Sequence, residues 1–334
     1  MRDGPIMNRK IRRLLSHIPL TLLVLFLCLS TLTCFLGIDT LVSIYKNIFD
    51  EDYRACTDQI RSYQHSEHSK LFVTLSYHGR LGNWMYAYAS LLGIAAKNKR
   101  EAYLYYAHPL TSYFDLHRTR MDHAQCVRPV SDPTPCTYDK RFETLPTMNI
   151  TIDGYIQSWK YFAGLESTIR KEFVFKEYIR NEAARMFRSY SKGARELVTV
   201  CVHVRRTDML IPGSLKLGFK EAPKSYIVNA MEYMRRKLGV IKFIFVSDDT
   251  QWCRANFESP DVVISDSASM GVHLAMLTMC NHTIITTGTF GWWGAWLAGG
   301  LVVYYKDFPI PGTIIDRQFT AEDFYPPGWV GLSG

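Results

Sequence analysis

The sequence predicts an α/β protein built on parallel sheets and preceded by one transmembrane helix. Three observations predict it. Short, near-continuous apolar runs alternate with segments of helical periodicity through the second half of the chain, the pattern of strands covered by helices on both faces. These runs end in glycine, hydroxyl and charged residues, where strands of such sheets meet ligands. Near the N-terminus, Ile18 to Ile38 is a 21-residue stretch without a charged side chain.

That stretch comes first in order. At 1.5 Å rise per residue it would measure about 31 Å, the thickness of a bilayer's hydrocarbon core. A cleavable signal peptide has an apolar run of about 7–15 residues, and a surface helix keeps a polar face. An uncleaved span over 18–38 is therefore expected, with a signal peptide as the rival reading. Arg2, Arg9, Lys10, Arg12 and Arg13 precede it against Asp3 alone, while Asp39, Asp50, Glu51 and Asp52 follow. The positive-inside rule then leaves residues 1–17 as a cytoplasmic tail and everything after 38 in a lumen or outside the cell. Sequons at Asn149 and Asn281 agree with that orientation and are candidate glycosylation sites.

The chain has 39 Lys+Arg against 31 Asp+Glu, a net charge of +8, which invites a polyanionic partner. Its placement argues otherwise. Five basic residues and one acidic residue give the tail +4, so only the other half is spread beyond the span. No nucleic-acid partner is expected. With 47% hydrophobic and 13% aromatic residues, intrinsic disorder is excluded. Eight cysteines in 334 residues are too few for a disulfide-built miniature scaffold. Cys126 and Cys136 could close a proline-rich loop, while Cys201, in the middle of an apolar run, reads as a buried free thiol. No CxxC or CxxH spacing suggests zinc, and His65 and His68 sit in a polar stretch where solvation is expected.

Residues 39–70 are polar, mixed in charge and weakly periodic, and read as a stem. Leu71–Ser76 then reads as a strand, His78–Gly82 as a turn, Asn83 to about Asn98 as a helix, and Ala102–Tyr106 as the next strand. Pro109, Pro129, Pro133, Pro135 and Pro146 break residues 108–150 into loops and short elements. A strand at Ile152–Gln157 and a helix over about 177–192 complete an N-terminal α/β domain, 71–195. A C-terminal domain, 196–334, has strands at Leu197–Val204, Lys242–Ser247, Asp261–Ile264, His282–Thr286 and Leu301–Tyr305. Helical patterns at about 224–238, 250–256, 271–280 and 290–298 separate them.

Four strand ends carry chemistry. The first runs through His203 into Arg205, Arg206 and Asp208; adjacent guanidiniums at a strand exit can hold a diphosphate through forked hydrogen bonds, and the competing reading is a surface Arg–Asp network. The second ends in Asp248 and Asp249, which either bind a divalent metal with a nucleotide or cap the helix at Thr250. The third, Thr286–Gly291, is a small hydroxyl-rich turn whose helix offers free N–H groups to an anion; otherwise it is an N-cap for a helix that buries Trp296 and one of Trp292 and Trp293. The fourth is Gly79-Arg80-Leu81-Gly82-Asn83, where glycines permit close backbone approach. Neither GxGxxG nor GxxxxGK[ST] is present. Together these ends predict a cleft for a phosphorylated, nucleotide-linked ligand in a secretory lumen.

The ordered set His203–Asp208, Val246–Asp249 and Cys280–Gly291, with Gly79–Asn83 and Gln157-Ser158-Trp159, resembles the α-1,2-fucosyltransferase family over about residues 71–330. The resemblance implies a GT-B-like enzyme of two Rossmann-like domains with a donor cleft between them, held in the Golgi membrane as a single-pass type II protein. It implies inverting transfer of L-fucose from GDP-fucose, without cofactor or metal, to the 2-hydroxyl of a terminal β-galactose on a glycan acceptor. Residues 71–195 would form the acceptor side and 196–334 would bind GDP-fucose. Carried over residue by residue, Arg205 would hold the β-phosphate with Arg206 in support, and His203 would lie near the guanine. Arg80, Asn83, Thr289 and Phe290 would line the diphosphate and fucose, with Asp249 and Gly291 also on the donor side. Asp208 is the candidate to accept the acceptor's proton; alternatively it orients the arginines.

Three positions depart from the family's common pattern: Trp84 replaces Gln, His273 an acidic residue, and Thr207 a frequent Gly. Two further readings follow. One is a fucosyltransferase for another hydroxyl or for a protein acceptor. The other is a non-catalytic Golgi protein that binds nucleotide sugars or glycans.

Overall fold

Two parallel sheets carry the chain. The structure, a computed structural model, describes residues 70–105, 108–117, 120–121, 127–191, 198–266 and 268–334. The predicted tail 1–17, the span 18–38 and the stem as far as Ser69 lie outside these, as do Cys56, His65, His68 and Cys126. Among the described residues no helix is long and apolar enough to cross a membrane.

The first sheet lies within 71–195 and has the order β2-β1-β6-β5. Its strands are β1 (Phe72–Leu75), β2 (Glu101–Ala102), β5 (Arg128–Ser131) and β6 (Ile150–Asp153), every pair parallel. Between β1 and β2 runs helix α1, Leu81–Lys97, buried along most of its length from Leu81 to Ala95. It starts two residues earlier than the sequence predicts, because the Arg80 carbonyl already accepts from the amides of Asn83 and Trp84. The run predicted as one strand, Ala102–Tyr106, divides: β2 stays on β1, whereas Leu104–Tyr105 (β3) pairs with Arg120–Met121 (β4). Strand β6 begins two residues before its predicted start and ends four before its predicted end, since Gly154 at φ +149° and Ile156 at φ +39° break the extended backbone. The proline-interrupted stretch nevertheless contributes β5, at the sheet edge, where the missing amide of Pro129 costs little.

The second sheet lies within 196–334. Its strands are β7 (Val198–Val204), β8 (Ile241–Ser247), β9 (Val262–Ile264), β10 (His282–Ile285), β11 (Val302–Tyr305) and β12 (Val330–Leu332). The order β12-β11-β10-β7-β8-β9, parallel throughout, is the doubly wound Rossmann arrangement, whose ligands bind where the strand order reverses. Here that reversal lies between β7 and β10. In the first sheet β1 and β6 are neighbours, although the chain visits β2 and β5 between them.

The helices that cover the sheets follow the sequence pattern closely: Glu177–Tyr190 (α2), Lys224–Leu238 (α3), Thr250–Phe257 (α4), Met270–Leu277 (α5) and Thr289–Ala298 (α6). Helix α6 packs on α1, so one apolar core takes residues from both halves of the chain. Trp292 and Trp293 are both fully buried there, against Tyr86 at 4.5 and 5.3 Å between ring centroids. Trp296, expected inside, is only half-buried.

Cysteine chemistry differs from expectation. Cys201 is not a free thiol: it is disulfide-bonded to Cys280, 79 residues away. The partner sits on the turn into β10, which becomes the neighbour of β7 only through the crossover topology. Cys136 is a free thiol, so the Cys126–Cys136 closure is not made; burial pushes the Cys136 thiol up to about 12.

Gly93 shows how tightly α1 is seated. A Cβ there would stand 1.8 Å from the Tyr161 carbonyl oxygen, a backbone atom that cannot swing aside. Gly93→Ala is therefore expected to lower unfolding free energy by at least about 1–3 kcal/mol, measured by chemical denaturation; wild-type stability in that variant would contradict the packing described.

Candidate active site

Alternation along β7 sends His203 and Arg205 to one face and Arg206 to the other. This separates the two guanidiniums that sequence reasoning placed together. Arg205 turns towards α6, where a Cβ on Gly288 would lie 2.3 Å from its NH1. Gly288, at φ +91°, is the N-cap of α6 and supplies no side chain. Only glycine permits both the conformation and the approach, and the first amides of α6 have no intrahelical acceptors. A guanidinium and a helix N-terminus thus converge at the β7/β10 reversal.

Asp208 holds Arg205 in place. Its two oxygens accept from Arg205 Nε and NH2 at 3.0 and 2.7 Å, and one also accepts from Arg80 NH2 at 2.6 Å. The Arg205 hydrogen bonds, with the charges of Arg205 and Arg80, keep this carboxyl below the usual carboxylate range. Such a group is a weak proton acceptor and an effective organiser of two cations. The Arg205 amide is fixed in turn by Thr286 Oγ1 at 3.0 Å.

Arg206 lies on the opposite face, its guanidinium carbon 4.3 Å from the centroid of Trp252 and its Nε 3.3 Å from Asp249 Oδ2. Asp249 also caps α4 by accepting from the Trp252 amide at 3.0 Å. Asp248 accepts from the amides of Arg206 and Thr207 at 2.9 and 3.1 Å, and from the Thr207 hydroxyl. The paired acids therefore organise the loop, as the capping alternative expects. Among the described residues, no group of three or more His, Cys, Asp or Glu is placed to hold a metal ion.

The N-terminal loop meets this arrangement directly. Gly82 has no room for a Cβ, which would fall 2.7 Å from Phe290 N and from Thr289 Oγ1. Next to it, Asn83 Oδ1 accepts from Thr289 Oγ1 at 2.6 Å and from Gln157 Nε2 at 3.0 Å. Arg80, Asn83, Arg205, Asp208, Thr289 and Phe290 are thus brought together from both halves. His203 lies beneath, its ring 5.3 Å from that of Phe290 and its Nδ1 against Gly291. Burial brings its pKa down to about 4, helped by Arg205 and His273 and opposed by Asp248, so the ring is neutral at pH 7. Its Nδ1 has no hydrogen-bond partner. His273 itself lies near Asp266 O and Ser265 Oγ, at 3.0 and 3.4 Å from Nε2.

Sequence reasoning missed Trp252, Thr286 and Gly288. Thr286 and Gly288 had a signal, as members of the hydroxyl-rich turn, but no role of their own; Trp252 depends on tertiary neighbours. Of the candidate glycosylation sites, Asn281 is exposed and its Oδ1 accepts from the Thr199 amide and hydroxyl, each at 2.9 Å. Asn149 is half-buried, with Oδ1 on the Phe72 amide at 3.1 Å.

Comparison with known proteins adds names to this geometry. A family model described as glycosyl transferase family 11 matches residues 38–333. The chain is similar to galactoside 2-alpha-L-fucosyltransferase SEC1 of Bos taurus, at 32% identity over 278 residues that cover 78% of this chain and 73% of that protein. It is also similar to galactoside alpha-(1,2)-fucosyltransferase 1 of Saimiri boliviensis boliviensis, at 33% identity over 275 residues covering 76% and 73%. Among solved structures, its fold is similar to that of an arginine-to-lysine mutant of Arabidopsis thaliana FUT1 in complex with GDP. That similarity has a TM-score of 0.51 at 13% identity, covering 83% of this chain and 79% of that one.

The buried histidines set a pH dependence. His108, like His203, is brought down to about 4 by burial. Between the ordinary 6.5 and about 4, the unfolded chain takes up protons that the folded chain refuses. Stability should therefore fall as pH falls through that window, by up to about 1.4 kcal/mol per pH unit for each histidine. His108→Asn retains an acceptor for the Leu110 amide and removes one titration, so urea unfolding across pH 4–7 should give a shallower slope than wild type. Equal slopes would contradict neutral burial of His108.

Proposed function

This chain belongs to glycosyl transferase family 11, and from that premise we propose that it moves L-fucose from GDP-β-L-fucose to the 2-hydroxyl of a terminal β-galactose, with inversion at the anomeric carbon. The observation that carries this reading is Arg205, held by Asp208 against Gly288 at the N-terminus of α6. The names of the relatives, galactoside 2-fucosyltransferases, and the GDP held by a structural neighbour support the same donor and acceptor.

The chemistry follows from charge. As the fucose–phosphate bond breaks, negative charge builds on the departing diphosphate, and groups already fixed around it stabilise that charge without reorganising. Arg205 and the amides of Thr289, Phe290 and Gly291 supply this stabilisation, with Arg80 closing from the other side. Asp208 keeps both guanidiniums extended before the donor arrives. Asn83 and Thr289 lock the two loops around the sugar. His203 lines the nucleotide end, and Arg206 with Asp249 supports the loop from behind. Positive charge comes from side chains and a helix terminus, so the reaction as assigned needs no metal.

The setting extends the notion. The two sheets correspond to two Rossmann-like domains of a GT-B enzyme, 71–195 on the acceptor side and 196–334 on the donor side. The apolar stretch 18–38 anchors the protein in the Golgi membrane with residues 1–17 in the cytosol, residues 39–70 forming a stem. Asn149 and Asn281 would carry glycans in that lumen; a glycan takes Nδ2, leaving each Oδ1 free for the hydrogen bond it accepts.

The test is direct. Full-length protein in detergent should transfer radiolabelled fucose from GDP-fucose to a β-galactose-terminated acceptor with EDTA present, and linkage analysis of the product should show the 2-position. Binding of GDP-fucose without transfer to any galactoside would replace the enzyme reading with that of a binding protein. Arg205→Lys keeps a charge but loses the fork that meets both Asp208 and a phosphate. It should lower kcat/KM by about 10²–10³ with unfolding unchanged; wild-type rates would remove Arg205 from its role.

A further inference from the structure

The donor chemistry just described occupies the strand-order reversal of the second sheet. In the first sheet, the carboxyl ends of the neighbouring strands β1 and β6 bring two other side chains into contact. His78 Nε2 lies 2.7 Å from Asp153 Oδ1. A carboxylate can only accept, so Nε2 carries the ring proton and donates it. This leaves Nδ1 as the nitrogen with a lone pair, and it accepts from nothing among the described residues. The pair is reachable, with side chains 44% and 46% exposed. Tyr155, also exposed, sets its ring 5.8 Å from the imidazole and offers a flat apolar face beside it.

Position ties this pair to the donor groups. His78 precedes, by two residues, Arg80, whose guanidinium meets the Asp208 that holds Arg205. Gly79, at φ +72°, makes the intervening turn and has no room for a side chain beside Asn83. The other candidates are committed. Asp208 is shared by two arginines, and His203 is buried with Nδ1 against Gly291.

Resting on the fucosyl-transfer reading, we infer that His78, oriented by Asp153, is the group that accepts the proton of the acceptor hydroxyl. The hydroxyl oxygen forms a bond to the anomeric carbon of fucose. The bond from that carbon to the phosphate oxygen breaks, its electron pair leaving on GDP. The hydroxyl proton passes to Nδ1 of His78, and the imidazolium is stabilised by Asp153 until it returns the proton to water. Tyr155 is the adjacent face against which the acceptor sugar lies. Among the described residues, Asp153 at the end of β6 and Tyr155 on the turn beyond it contact His78, and Arg80 follows two residues later on the same loop. Asp132, at the end of β5, is taken up by the amides of Thr134 and Ile156.

The experiment uses full-length protein, GDP-fucose and a lactosamine acceptor. His78→Gln should lower kcat by about 10²–10⁴, with GDP affinity by calorimetry within about twofold of wild type. Asp153→Asn should lower kcat at least about tenfold while leaving GDP affinity intact, and added imidazole should restore part of the rate lost in His78→Ala, which a structural ion pair would not allow. The inference is overturned if His78→Gln keeps kcat within about threefold of wild type, if added imidazole restores none of the rate lost in His78→Ala, or if GDP affinity collapses along with the rate. Failure of wild type to transfer fucose at all would instead sink the reading on which it rests.

Discussion

The contact on which the rest of the site depends is the approach of α1 to α6 at Gly82. A single Cβ there would collide with the backbone at Thr289 and Phe290, so the two helices start at nearly the same point. Each is launched from the carboxyl end of a strand, α1 after β1 and α6 after β10. The Asn83–Thr289 hydrogen bond then joins the two starts by side chains. Because helix position is inherited from strand position, this one contact brings groups from residues 80–83 and 203–208 into a common space. Arg80 reaches Asp208 across 128 residues of sequence for that reason.

Charge arrangement follows from the same geometry. One face of β7 delivers Arg205 to a helix terminus, and Asp208 prevents two neighbouring cations from folding away. The opposite face delivers Arg206 to Trp252 and Asp249, where it braces the loop. Two adjacent arginines thus do different work: just past the end of β7 they leave the chain on opposite sides, Arg205 held by Asp208 and Arg206 by Trp252 and Asp249. The acids Asp248 and Asp249 hold backbone amides and a helix start, which leaves them occupied with architecture.

Much of this was legible in the sequence where the information is local. Strands β7, β8 and β10 and helix α3 could be read from apolar runs and period, because parallel strands covered on both faces leave a continuous apolar signature. The Gly79–Asn83 and Thr286–Gly291 loops could be picked out because glycines and hydroxyls between a strand and a helix have few other uses. What depends on strand order was hidden. Cys201 reads as a lone thiol until β10 is known to lie beside β7. Strand β5 carries Pro129 and reads as a loop until it is known to be an edge. His78 and Asp153 are separated by 75 residues and look like two unrelated polar residues until β1 and β6 are neighbours.

The positions that depart from the family's common pattern bear on whether the site has decayed. Trp84 is taken into an aromatic cluster with Tyr77 and His108, at 6.4 and 6.5 Å between ring centroids. His273 is turned onto Ser265 and the Asp266 carbonyl. Both are accounted for by packing of their own surroundings, and neither intrudes on Arg205, Asp208 or the start of α6. The cationic arrangement itself is intact: one carboxylate, Asp208, holds both Arg205 and Arg80 extended, and Gly288 gives the Arg205 guanidinium its close approach to the start of α6. Two guanidiniums on a single carboxylate leave one positive charge in excess beside a helix N-terminus, and an anion is what offsets it. That excess, held in place before any ligand arrives, is the physical argument for a site able to bind a diphosphate.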